Sequence, residues 1–404
     1  MITPPIPLAE AWDRLLGPAL PLPLPVEQVP VDQAVGRHLA AAVLANRTQP
    51  AADLSAMDGY AIGARDDAGP WQVVGESAAG HPFTGALQPG QAIRISTGAL
   101  LPAGGALVLL QENARRSGDR LELNGEGVPS PRHIRRTGFD FRTGQQVLPA
   151  GMHVGPPQMA VALSAGHGTL PVHRLPSVAI MDSGDELSAD PASCALHQIP
   201  ASNGAMLAAM AGPLASVVHR VGPVPDRAEA LAAALARCSD VDVLVTSGGA
   251  SVGDHDLIRP ALEAWGAQID FWRVAIKPGK PLMVARRGHQ WIVGLPGNPV
   301  SSYVTAFLFL LPLLRRLAGA DVAAALPRPL PARLTAPVPA TEGRQEFLRA
   351  SLTFDEVTPL GEQDSSALAT LARANALIAR PAHSPALTTG EVVPVYLLRN
   401  GGIA

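Results

Sequence analysis

The chain has 404 residues, more than one ordinary domain holds, so roughly two to four domains are expected. Its 47% hydrophobic content can fill real cores, and its 16% charged content is too low for a disordered chain. A formal net charge of −3 excludes the electrostatic footprint of a nucleic-acid or anionic-membrane binder.

In chain order, residues 7–16 read as a short helix, followed by a Pro-rich connector, "GPALPLPLPVEQVP". The start lacks a basic stretch followed by an apolar run, so no signal peptide is read and the cytoplasm is the expected location. A second helix is expected over "VDQAVGRHLAAAVLA" (residues 31–45). Short β-type runs follow, "WQVVGE", "AIRIST", "ALVLLQE" and "RLELN", punctuated by Gly, Pro and Asn as in a compact β domain. Within this region "SAMDGYA" sets Asp58, Gly59 and Tyr60 together; on its own it reads as an Asp-Gly turn.

Near Pro176 the character changes. Apolar strands ("VAIM", "ASVVHRV", "VDVLVT", "PLMVA", "WIVGL") alternate with helical stretches ("NGAMLAAMAG", "DRAEALAAALARC", "LIRPALEAWG"), the pattern of a doubly wound α/β domain with a mostly parallel sheet. The most apolar run, "VTAFLFLLPLL", falls short of the ~20 residues of a membrane span and is expected to be a buried helix. After Leu326 a Pro-rich β pattern returns and predicts a small C-terminal β domain. Cys194 and Cys238 lack metal or redox spacing and read as buried thiols in a reducing compartment.

Open α/β sheets bind ligands at the carboxyl ends of their strands. Three strand-end loops stand out: "MDSGDEL" with Ser183, Gly184, Asp185 and Glu186; "TSGGASVGDHD" with Ser247, Gly248, Gly249, Ser251, Gly253, Asp254 and Asp256; and "GLPGNP" with Pro296, Gly297, Asn298 and Pro299. Glycines let backbone N–H groups turn toward an anion, and helix starts add their positive ends. Glu186 and Asp256 are hard-oxygen candidates for Mg2+, while helix capping remains open for Asp185 and Asp254. Asp226, with Glu229 three residues on, has capping-box spacing and alone reads as a cap. His255 reads as a surface or packing residue. Asn298 is expected to cap a helix with Pro299 at its first position. The chain has 31 Lys plus Arg, of which only Lys277 and Lys280 are lysines, both in "KPGKP". Ammonium is compact and strongly hydrated where guanidinium is a wide fork, so a tight anion pocket is expected there.

Taken in order, "SAMDGYA", "TGALLPAG", "GFD" with "LPAG", "SGDEL", "SNGAML", "SGGASVGDHD", "KPGKP", "GLPGNPVSS", "GRQEFLR" and "LARANALI" resemble the molybdopterin molybdenumtransferase family of the MoeA and gephyrin E-domain type, from about Pro30 onward. The resemblance implies an α/β plus β fold, an elongated subunit with four parts, and a homodimer. On this chain the parts are 27–44 with 141–168 as a linking domain, 45–140 as the β-rich domain, 6–26 with 169–325 as the molybdopterin-binding α/β domain, and 326–404 as the C-terminal β domain. It implies magnesium, and molybdate with adenylylated molybdopterin as substrates, with insertion of the metal and release of AMP. By motif position Asp58, Thr97, Glu186, Asp226 and Asp256 fall at catalytic places and Asp140 in the pocket. Lys277, Lys280, Pro296 and Pro299 match its rim, and Arg344 and Ser366 match tail positions. Transient contact with the adenylyltransferase and with molybdoenzyme-maturation proteins is implied, with no nucleic-acid or membrane partner. The family's dimer leads to the expectation of a site shared between subunits. Departures are Leu54 before "SAMDGY", Ala106 and Ala201 where acids are usual, and Ser183, which keeps a hydroxyl in place of threonine. The rival readings are an adenylyltransferase, whose whole fold resembles only the α/β part, and a non-catalytic scaffold of the gephyrin kind.

Overall fold

The computed structural model describes residues 4–17, 23–248 and 257–398. The chain divides into two compact units, Gln28–Pro171 and a second made of Met1–Glu27 with Val172–Ala404.

The Gln28–Pro171 unit is built on a mixed six-stranded sheet. Its strand order is Gly105–Leu110, Gly59–Gly63, Gln91–Ile95, Trp71–Ser77, Arg120–Leu123, Ala114–Ser117. Strand alternation sends Tyr60 and Ile62 into one core with Trp71, Val73 and Leu109, and Ala61 into another with Ile93, Ile95 and Val108. Covering both faces explains the near-continuous apolar runs. The helix expected over residues 31–45 is not formed. A 3₁₀ turn, Val31–Ala34, stops before Gly36, whose φ of +85° lies in the left-handed region, and a strand resumes at Val43–Leu44. A helix that the pattern did not announce, Pro156–Ser164, starts on two prolines, with the Gln158 side chain accepting from the Gly155 N–H.

The second unit contains the doubly wound sheet, in the order Val217–Val224, Ser177–Ser183, Val243–Ser247, Gln290–Leu295, Met283–Arg287, Gln268–Trp272. The first four strands are parallel and the last two pair antiparallel at one edge. Val178, Ile180, Val243 and Val245 face the helices Leu8–Leu16, Asn203–Ala211 and Pro299–Leu317. Ala179, Met181 and Leu244 face Ala228–Ala236 and Ile258–Ala264 on the other side. Leu8, Ala11 and Leu15 recur at helical spacing, which is how the N-terminal helix comes to bury one face on this sheet. Pro299–Leu317 is by length and composition able to cross a membrane, but 83% of that stretch is buried in the fold, so it is a core helix here. Cys194 and Cys238 are both free; Cys238 is buried as expected, whereas Cys194 is only partly buried.

The C-terminal strands close on themselves. Gln345–Thr353 pairs with Glu356–Pro359, which pairs with Leu330–Leu334, then Val392–Leu397, then Ala376–Arg380, which returns to Gln345–Thr353. Ile276–Lys277, the start of "KPGKP", adds a short parallel strand to this sheet at Gln345 and Glu346.

Candidate active site

At the carboxyl edge of the parallel strands lies a cavity of about 750 Å³. The sequence-predicted residues Ser183, Gly184, Glu186, Asp226, Ser247, Gly248, Pro296, Gly297, Asn298, Pro299 and Ser366 all line it. Gly249, Ser251, Gly253, Asp254, His255 and Asp256 lie outside the described residues. Gly248 has to be glycine: its φ is +93°, and a Cβ there would stand 2.6 Å from the Ser183 carbonyl oxygen. The Asn203 side chain ties two of the loops by donating to Ser247 Oγ at 3.0 Å and to the Gly297 carbonyl at 2.7 Å.

The carboxylates fall into two groups. Asp185 accepts from the Asp226 N–H at 3.1 Å, so it holds that loop and caps no helix. Asp226 does not cap either, because the following helix starts after Arg227 with no side-chain cap. Its proton affinity is raised, first by burial and then by the charges of Asp185 and Glu186. These carboxylates gather negative charge at one side of the cavity. Among the described residues no group of three or more His, Cys, Asp or Glu could hold a metal ion. The second group is a residue the sequence reading passed over. Asp182 ends the apolar run "VAIM", is 5% exposed, and lines the cavity floor. Burial pushes its pKa to about 6 against the pull of the Gly204 N–H and of Arg220. Its Oδ1 has no hydrogen-bond partner among the described residues. A Cβ on Gly204 would sit 2.0 Å from its Oδ2, so the first turn of Asn203–Ala211 is glycine where the carboxyl needs room. An acid closing an apolar strand was the signal available in the sequence.

The helix at Asn298 starts where expected, with Pro299 in its first turn, but the asparagine side chain does not cap it. It donates to Ser365 Oγ at 2.8 Å, and the Val300 N–H donates to the Ser365 carbonyl at 3.1 Å. Part of the helix start expected to cradle an anion is therefore occupied by the protein's own loop. Ser366 sits next in that loop, where Asp364 Oδ1 accepts from both its N–H and its hydroxyl.

The two lysines do not line the cavity. Lys277 Nζ donates to Glu346 Oε1 at 3.0 Å, pairing with a carboxylate that is 8% exposed. The Lys280 side chain is exposed and makes no ion pair among the described residues, and the neighbouring Pro281 does line the cavity. Arg344 immediately precedes the strand Gln345–Thr353 and is also away from the cavity lining.

Asp58, Thr97 and Asp140 belong to the Gln28–Pro171 unit. Asp58 Oδ1 accepts from the Thr97 N–H at 2.6 Å and from its hydroxyl at 2.9 Å. Those bonds, the backbone one first, hold the exposed Asp58 carboxyl below its ordinary pKa and aim it, leaving Oδ2 for other chemistry. Arg94 beside it donates to the Gly59 carbonyl and to Gln111, with its guanidinium 5.4 Å from the Tyr60 ring centre. Asp140 is exposed, and its N–H donates to the Gln49 carbonyl at 3.0 Å.

The chain matches three family models in order: the MoeA N-terminal region (domain I and II) over residues 6–166, a probable molybdopterin binding domain over 179–316, and the MoeA C-terminal region (domain IV) over 331–398. It is 32% identical to a molybdopterin molybdenumtransferase of Haemophilus influenzae, covering 96% of this chain and 97% of that one. It is 33% identical to molybdopterin molybdenumtransferase 2 of Mycobacterium tuberculosis, covering 91% and 94%. In structure it is similar to the molybdopterin biosynthesis MoeA protein of Pyrococcus horikoshii OT3, with a TM-score of 0.83 at 26% identity over 98% and 100% of the two chains. With three successive family regions and curated relatives matched along nearly their whole length, the chain belongs to the MoeA family of molybdopterin molybdenumtransferases.

Proposed function

We propose that this chain is a transferase of molybdenum cofactor biosynthesis that inserts molybdate into adenylylated molybdopterin and releases AMP. The observation that carries the reading is the cavity at the carboxyl edge of the parallel sheet, where glycine loops and a carboxylate cluster meet. Its size suits a ligand larger than a single nucleoside ring. Water attacks the adenylyl phosphorus, the bond to the pterin-side phosphate oxygen breaks and AMP leaves; the two pterin thiols then replace one oxo ligand of molybdate, which departs with their two protons as water.

In this scheme Asp58, ionised and aimed by Thr97, orients the attacking water and accepts its proton. Ser183 and Ser247 offer hydroxyls to phosphate and molybdate oxygens, and Gly248 lets the backbone approach them closely. Lys280 supplies an ammonium to incoming anions. The described carboxylates alone do not make a metal site, but Glu186 and Asp226 are hard oxygen donors, and the crowding that raises Asp226 would be relieved by a magnesium cation. Glu186 with Asp256 would hold that ion, which supplies charge neutralisation between the two anionic substrates. We further propose a homodimer, with Asp58 of one subunit serving the partner's cavity, a cytoplasmic location, and transient contact with the adenylyltransferase and with molybdoenzyme-maturation proteins. The test is reconstitution of a molybdenum-free molybdoenzyme with purified chain, adenylylated molybdopterin, magnesium and molybdate. Activation that needs the chain supports the reading, and equal activation without it refutes it.

A further inference from the structure

The loop that reaches the helix start comes from the closed C-terminal sheet, and its attachment is specific. Gln363 Nε2 donates to the carbonyls of Arg349 at 3.0 Å and Leu360 at 2.7 Å, while its Oε1 accepts from the Arg349 N–H at 3.0 Å. The Arg349 side chain, 1% exposed, donates to the Glu362 carbonyl at 2.9 Å. One strand of the sheet thus grips two consecutive residues, and the next two residues, Asp364 and Ser365, carry the chain onto Asn298 and Val300. Ser366 then lines the cavity. Burying a guanidinium is costly, and the Arg349 guanidinium has the charges of Glu362 and Asp364, both in this loop, to offset its desolvation. A surface turn would not need that expense; a fixed loop does.

We infer that Gln363 and Arg349 are positioning residues that latch Ser365 and Ser366 onto the Asn298 helix start, and that this latch sets affinity for the anionic substrate. The inference rests on the functional reading above for the identity of that substrate. With the latch closed, Ser366, whose N–H and hydroxyl are held by Asp364 Oδ1, is fixed in the cavity wall, and binding carries no entropy cost of ordering a free loop. When the latch is open, the Val300 N–H and the Asn298 amide lose their partner in Ser365, and Ser366 leaves the wall.

Gln363→Glu tests this with little change of shape. Above neutral pH the new carboxylate has no donors and faces two carbonyl oxygens; once protonated it regains one donor. The variant should bind adenylylated molybdopterin about tenfold more weakly at pH 8, with kcat for AMP release within about twofold of the parent. The affinity gap should narrow at pH 5.5. Ser365→Ala, which removes only the hydroxyl contact, should weaken binding less and add little to Gln363→Glu. Amide hydrogen exchange at Val300 gives a readout independent of substrate and should be faster in Gln363→Glu. Parent-like exchange at Val300, parent-like affinity at pH 8, equal losses in affinity and kcat, or no recovery at pH 5.5 would overturn the latch. A parent chain that fails to bind the substrate while Val300 exchange responds as expected overturns the functional reading instead.

Discussion

Replacing Asp182 by asparagine isolates the cost of a buried charge at the cavity floor. The folded protein raises this carboxyl from 3.8 to about 6, chiefly by desolvation, and leaves its Oδ1 without a partner among the described residues. An acid whose folded pKa is raised holds its proton more tightly in the folded state than in the unfolded one. Between the two values the folded state therefore binds more protons, and stability falls as pH rises through that window. Above it the penalty is complete and amounts to about 3 kcal/mol at most. Asparagine removes the charge but brings two N–H donors that need partners, returning about 1 kcal/mol. The net gain expected for Asp182→Asn at pH 8 is about 1–2 kcal/mol, a rise of about 2–6 °C in the melting transition of the α/β unit. At pH 4.5 most of the advantage should be gone. Melting curves of parent and variant at the two pH values measure it. A variant less stable than the parent at pH 8, or the same difference at both pH values, would mean that Asp182 carries no buried-charge penalty.

Asp58→Asn should keep the melting temperature of the parent, because the side chain is exposed and its shape is retained, and should abolish AMP release; full activity would return "SAMDGYA" to an ordinary turn. Mixing Asp58→Asn with Glu186→Gln chains should restore partial activity in verified heterodimers, since one complete site results, whereas no recovery would place each site within one chain. Thr97→Val removes a bond that holds Asp58 acidic, so the acid limb of the pH–rate profile should move upward; an unmoved limb would deny Asp58 its role as the ionised base. Lys277→Arg should preserve both stability and binding by keeping the Glu346 pair, Lys277→Ala should cost about 1–2 kcal/mol, and Lys280→Ala should weaken molybdate binding without changing stability, all read by calorimetry beside melting curves.

Much of this architecture was legible because period and punctuation agreed. "VAIM", "VDVLVT" and "WIVGL" are β-branched runs that each end at glycine-containing loops, and they became adjacent parallel strands whose ends build the cavity. Residues 31–45 misled because their apolar spacing suits a helix, while Gly36 lets the chain turn out of it at little cost. Lys277 misled differently. Composition marked both lysines as unusual, but only three-dimensional pairing shows that Lys277 answers Glu346, 69 residues away. The Gln363 clamp escaped for a related reason, since its backbone partners are long-range, while Asp182 left only the trace of an acid closing an apolar strand, and its burial is decided by the fold.

The central claim, that molybdenum insertion and AMP release are one event in this chain, is tested most directly by single-turnover stoichiometry. Purified protein loaded with adenylylated molybdopterin and magnesium is given molybdate in steps, and AMP released is compared with molybdenum retained on the pterin. One AMP should appear for each molybdenum retained, with little AMP before molybdate is added. AMP released without molybdenum retained, or molybdenum retained with the adenylyl group intact, would contradict the claim.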